Sequence, residues 1–134
     1  YAKGKENTTM AFYGGNGGLY FVSLKSREIL DNIQTDMSYA YRNLDVTILH
    51  TLILDNILGI DKEKLVNQDN VFYTRSIKEA IKEVERGNYQ ISFILNATKI
   101  DEMKQVALHQ EKMPQKSTYF YPKLLTGLII NDLK

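Results

Sequence analysis

The chain has 134 residues, 43% hydrophobic and 25% charged, with a net charge of +1 and no cysteine. Those totals suit one ordinary domain with a core of the soluble globular kind. They exclude disulfides and thiolate chemistry, and so weak a field disfavours nucleic acid and membrane as partners.

Residues 1–8 are polar and expected to be flexible. The chain opens on Tyr1 rather than Met, which reads as a piece of a longer protein. Two β-type runs follow, 9–13 and 19–24, flanking Gly14-Gly15-Asn16-Gly17-Gly18. Glycine and asparagine tolerate the positive φ of a reversing chain, so the pair predicts an antiparallel hairpin. A phosphate-cradling glycine loop fails on context, because no Gly-Lys-Ser/Thr follows and the next element is a strand.

Residues 26–33 predict a short helix with Arg27, Glu28 and Asp31 on its wet face. Residues 43–58 give the strongest helical signal: Leu44, Ile48, Leu49, Leu52, Ile53 and Ile57 recur at helical spacing, and Gly59 supplies a stop. Its apolar residues fill more than one stripe, which places it deep in the core or under a partner surface. Residues 59–70 read as a charged connection.

From residue 71 the pattern alternates. Residues 71–74 predict a strand, and Ser76 with Glu79 matches a capping box opening a helix on Ile77, Ala80, Ile81 and Val84. Residues 89–95 form a nearly continuous apolar run, as expected in the middle of a sheet. A second helix is expected to open at Asn96-Ala97-Thr98 and to turn Ile100, Met103, Val106 and Ala107 inward. A final strand is expected over 124–130. The β-α-β-α-loop-β order argues for parallel pairing through right-handed crossovers. The fold class is α/β, or α+β: a mixed sheet with an N-terminal antiparallel hairpin and helices packed on the sheet.

Metal ligation finds little support, because His50 and His109 fall on separate helices and no cysteine joins them. A Ser-His-Asp triad is equally improbable, and no Gly-x-Ser-x-Gly elbow is present. Asp45, Asp61, Asp101 and Glu102 sit in polar settings that suit a solvated face. One arrangement stands out. The turns Thr74-Arg75-Ser76 and Asn96-Ala97-Thr98 lead from strands into helices, where N–H groups and the positive helix end are available. A stiff loop, Lys116-Ser117-Thr118 between Pro114 and Pro122, precedes the final strand. Lys116 and Lys123 would supply charge there, and Ser117, Thr118, Asn96 and Thr98 directional hydrogen bonds to an anion. The alternative is a crossing segment stiffened by its prolines, with Ser117 and Thr118 capping turns and Tyr119, Phe120 and Tyr121 packed beneath. The direction of the last strand decides whether loop and turns meet.

Several runs resemble the "domain of unknown function 1015" family. They are Asn43-Leu44-Asp45-Val46 with Leu49-His50 and Leu58-Gly59-Ile60, then Ser92-Phe93-Ile94-Leu95-Asn96-Ala97-Thr98. The most specific is Met113-Pro114-Gln115-Lys116-Ser117-Thr118-Tyr119-Phe120-Tyr121-Pro122-Lys123 with Leu124-Leu125-Thr126-Gly127-Leu128. The resemblance implies the carboxyl-terminal portion of a cytoplasmic protein roughly three times longer. Upstream, such proteins look as if they carry an Asp-Gly-His-His-Arg stretch similar to one in ParB-like proteins and archaeal free-serine kinases. That implies an accessory domain of a serine-kinase-like phosphotransfer enzyme, inactive alone. No Asp-Gly-His-His occurs here, so catalytic residues stay unassigned and only Lys116-Ser117-Thr118 carries over. The implied partners are the N-terminal half of the same chain and a small phosphorylated or amino-acid ligand, with nucleotide as a cofactor of the longer protein and none in this portion. The reading from another class is a packing module, in which the apolar helix and the tyrosine-rich loop form a face for the missing half or for a homodimer.

Overall fold

A computed structural model describes residues 8–33 and 36–119. The hairpin forms as expected: β1 (Thr9–Tyr13) pairs antiparallel with β2 (Leu19–Ser23), and Phe12 stands opposite Tyr20. Their rings stack at 5.1 Å, the kind of cross-strand aromatic pair that fixes register. Gly15 and Gly17 take φ of +86° and +71° in the connection, where a Cβ would be strained.

The third strand, β3 (Ser92–Ile94), pairs antiparallel with the other edge of β1, giving the order β2-β1-β3. Helices accompany this three-stranded sheet, in keeping with an α/β or α+β class. The run 89–95, expected in mid-sheet, thus supplies a half-buried edge strand among the described residues. Residues 71–74 pair with no strand among the described residues, so the parallel β-α-β unit does not form there. Aromatic and β-branched residues favour a strand, but tertiary placement decides whether it pairs. Residues 71–74 and β3 instead line one cleft. The expected strand over 124–130 lies outside the described residues.

Between β2 and the helices runs a 3₁₀ helix (Arg27–Asn32), whose cap Ser26 accepts from the Glu28 N–H and whose Leu30 is fully buried. Arg42 closes this segment onto the helical layer by donating to the Leu30 carbonyl at 2.8 Å. The helix expected over 43–58 forms from Asp45 onward, after a separate turn. A turn, α1 (Tyr39–Arg42), ends at Asn43, and Leu44 is extended. Then α2 (Asp45–Ile48) passes directly into a π-helical segment (Leu49–Asp55). The wider winding shows in the bonds closing that segment, Asn56 N–H to Thr51 at 3.2 Å and Leu58 N–H to Ile53 at 2.9 Å. An extra residue per turn redirects the side chains that follow, which suits a segment apolar on more than one stripe. Leu44 and Val46 pack with Val106, while Ile48, Leu49 and Leu54 join Met10, Leu30 and Leu65. One helical stretch therefore spans both core clusters.

The charged connection contains a helix that its composition concealed, α3 (Lys62–Asn67). Asp61 caps it by accepting from the Lys64 N–H at 2.9 Å, Gln68 ends it in the left-handed region, and buried Leu65 anchors it.

Helix α4 (Ile77–Glu85) starts at Ser76 as expected, with the serine oxygen accepting from the Glu79 N–H at 3.3 Å. The return half of the capping box runs through a relay. Thr74 donates its hydroxyl to Glu79 and accepts from the Ser76 N–H at 3.2 Å. Val84 is buried, but Ile77 is 56% exposed, so the inward face is narrower than the spacing suggested. Helix α5 (Ile100–Leu108) begins two residues later than its expected opening, with Lys99 at the cap donating its N–H to Glu102. Only Val106 of its expected inward residues is fully buried; Met103 is half-buried, and Ile100 and Ala107 are exposed. A short helix resting on one side offers a single line of contact, here centred on Val106.

Candidate functional site: a cleft with a basic rim

A cleft of about 720 Å³ is lined on one side by the sheet and on another by the π-helical segment. Leu49, Leu54, Phe93 and Leu95 give it an apolar interior. Its rim brings together the turn Thr74-Arg75-Ser76, the turn Asn96-Ala97-Thr98 and the loop residues Lys116 and Ser117. The two helix-opening turns and the loop that the sequence singled out therefore share one opening.

Asn96 anchors the base of its turn, donating through its side-chain amide to the Thr9 carbonyl at 3.1 Å and to Asp45 at 3.4 Å. Thr98 donates to the Ser117 carbonyl at 2.9 Å. Ser117 directs its own hydroxyl to the Pro114 carbonyl at 2.6 Å, where its N–H also points at 3.3 Å. Gln115 fastens the same loop to α3 by donating to the Leu65 carbonyl at 3.1 Å. Asn96, Thr98 and Ser117 thus hold the rim together, and the Ser117 hydroxyl, expected to reach for an anion, closes its own turn instead. Thr118 is exposed and outside the lining, and Lys123 lies outside the described residues.

What faces the cleft is Lys116. Its backbone adopts φ +57°, and its side chain makes no ion pair among the described residues. On the neighbouring turn the Arg75 guanidinium lies 3.9 Å over the centre of the Tyr119 ring. Stacking of this kind orients a guanidinium while leaving its edge donors available. Two cations therefore border one opening. The carboxylate that also lines it, Glu83, is held by Asn88 at 2.7 Å and Arg86 at 2.9 Å. The Asn88 bond foremost, with Arg86 added, keeps its pKa below the ordinary carboxylate value.

The interior carries three polar groups in apolar company. The Tyr73 hydroxyl and the Ser92 hydroxyl are buried without a hydrogen-bond partner among the described residues, and burial raises the Tyr73 pKa. His50, half-buried on the π-helical segment, lines the same cleft, and burial pushes its imidazole below the ordinary 6.5.

Sequence reasoning set His50 aside as a metal ligand and treated Arg75 only as part of a turn. A signal for Arg75 was its position just before a capping serine. For His50 it was a titratable side chain within an otherwise apolar helix. Among the described residues no cluster of three or more His, Cys, Asp or Glu could hold a metal ion, and no helix is long and apolar enough to cross a membrane. The arrangement is suited to binding: paired cations stabilise an oxyanion, and an apolar pocket takes the body attached to it. No family model matches the chain, and neither a curated protein nor a solved structure does.

Proposed function

We propose that this chain is a cytoplasmic ligand-binding portion of a longer phosphotransfer enzyme related to the "domain of unknown function 1015" family. In it Arg75 and Lys116 hold the phosphate or carboxylate of a small ligand. The convergence of Arg75 and Lys116 on one cleft carries the proposal. Two cations that form no ion pair among the described residues attract an oxyanion, and the fixed loop limits the entropy lost on binding. The resemblance supplies phosphotransfer as the context; the geometry supports only the anion. Calorimetric titration of the full chain with inorganic phosphate, O-phosphoserine and ATP tests it, alongside Lys116→Ala and Arg75→Ala. Binding to the unaltered chain that each variant weakens supports the role. Equal affinity in all three rules it out.

A second reading comes from the apolar residues along the same opening. Phe21 is 66% exposed, and Leu19, Leu58 and Phe72 are also uncovered. Such a border suits a face for the N-terminal half of the longer protein or for a second copy. Light scattering on the chain separates the two occupants, because a concentration-dependent dimer favours the second copy and a strict monomer disfavours it.

A further inference from the structure

We infer that His50 is a second anchor of the cleft, accepting a hydrogen bond from an ammonium or hydroxyl group on the ligand whose anion sits at Arg75 and Lys116. The inference deepens the anion-binding proposal above and rests on it. Three observations lead to it.

His50 lines the same cleft as the two cations. At about 720 Å³ the cleft lies within the range of small-ligand pockets. His50 also sits in a π-helical segment, a winding that stable helices rarely adopt and that recurs where a side chain must be aimed at a ligand. Lastly, His50 is half-buried, shares the cleft lining with Leu49, Leu54 and Leu58, and makes no side-chain hydrogen bond to any described residue. Burial favours its uncharged form, which has one ring nitrogen free to accept. Water can reach that nitrogen in the open cleft, and a donor on a ligand would take the water's place.

The ligand class that would suit these two ends is a small molecule carrying a phosphate or carboxylate together with an amine or hydroxyl.

Two probes of nearly equal size isolate the contribution. O-phosphoethanolamine carries a phosphate and an ammonium; propyl phosphate replaces the ammonium with a methyl group. Titrated calorimetrically into the full chain, the first should bind about tenfold more tightly, the scale of a hydrogen bond to a charged group. His50→Ala should abolish that preference and leave propyl phosphate within about twofold of its original affinity. Imidazole resonances of the unaltered chain supply a readout independent of the variant's folding: O-phosphoethanolamine should shift His50 and propyl phosphate should not. A preference that survives in His50→Ala, or unshifted imidazole resonances, overturns the inference while leaving the anion site standing. Failure of both probes to bind the unaltered chain removes the anion site, and this inference with it.

Discussion

The Thr98 hydroxyl donates to the Ser117 carbonyl at 2.9 Å, joining the turn before α5 to the loop that carries Lys116. This bond spans 19 residues and sets the position of a flexible side chain through its backbone. Thr98→Val keeps the shape and removes the donor, leaving a part-buried carbonyl unpaired. We expect a loss of about 1 kcal/mol in stability, typical of one neutral hydrogen bond. Phosphate affinity should fall as well, because Lys116 is no longer held at the rim. Thermal denaturation and phosphate titration of the same variant check both effects. A stability loss with unchanged phosphate affinity would show that the loop holds its place without Thr98.

Lys116 offers a way to separate strain from function. Its φ of +57° lies in the left-handed region, which costs a non-glycine residue roughly 1 kcal/mol. Lys116→Gly relieves that strain, although glycine's freedom in the unfolded chain offsets part of the gain. The glycine variant should therefore be at least as stable as Lys116→Ala, by up to about 1 kcal/mol, while both lose phosphate binding alike. Denaturant titration ranks the stabilities. A glycine variant clearly less stable than the alanine one would mean that the lysine stem contributes packing.

The hairpin was legible because its two signals agreed: β-type runs on either side and glycines between them. The helix start at Ser76 was legible for a similar reason, since a cap is a local chemical device. The extended backbone of Leu44 was not. Leu44 turns extended there so that it can bury against Val106, more than 60 residues away in sequence, and helical spacing carries no record of that demand. Helix α3 was missed because its one buried residue, Leu65, gives no periodicity, although Asp61 was a visible cap. The strand expected at 71–74 failed on pairing, which depends on which sheet edges remain open. The sequence singled out the two turns and the loop that line the cleft, but not that Ser117 closes its own turn. Arg75 stacks on the Tyr119 ring, a partner distant in sequence.

That stacking makes a further prediction. Arg75→Gln removes the charge and the ring contact together, whereas Tyr119→Leu removes only the ring. The first should weaken phosphate binding about tenfold, the scale of a charge-assisted hydrogen bond, and flatten its salt dependence. The second should weaken it only about twofold to threefold, in line with the modest energy of an exposed cation–π contact. Titrations at low and high salt distinguish the two. Equal losses would place the importance in the ring and not in the charge.

His50 makes stability depend on pH in a direction that can be worked out. Burial lowers its pKa in the folded chain below the ordinary 6.5, so near and below that value the unfolded chain binds more protons. Stability then rises with pH across the interval between the folded value and 6.5. Its contribution is fully present above 6.5 and is lost as pH falls toward the folded value. Glu111 behaves differently. Desolvation opposes its ionisation, but hydrogen bonds from the Ser38 hydroxyl and N–H, with His109 nearby, outweigh it and hold the pKa below 4.5. Its contribution therefore disappears only in stronger acid, as pH falls below 4.5 and through the lowered value. Thermal denaturation between pH 5 and 8 should show a melting temperature that rises through the histidine interval, and His50→Gln should flatten that rise. Glu111→Gln should leave it unchanged. A slope that persists in His50→Gln would place the responsible proton elsewhere.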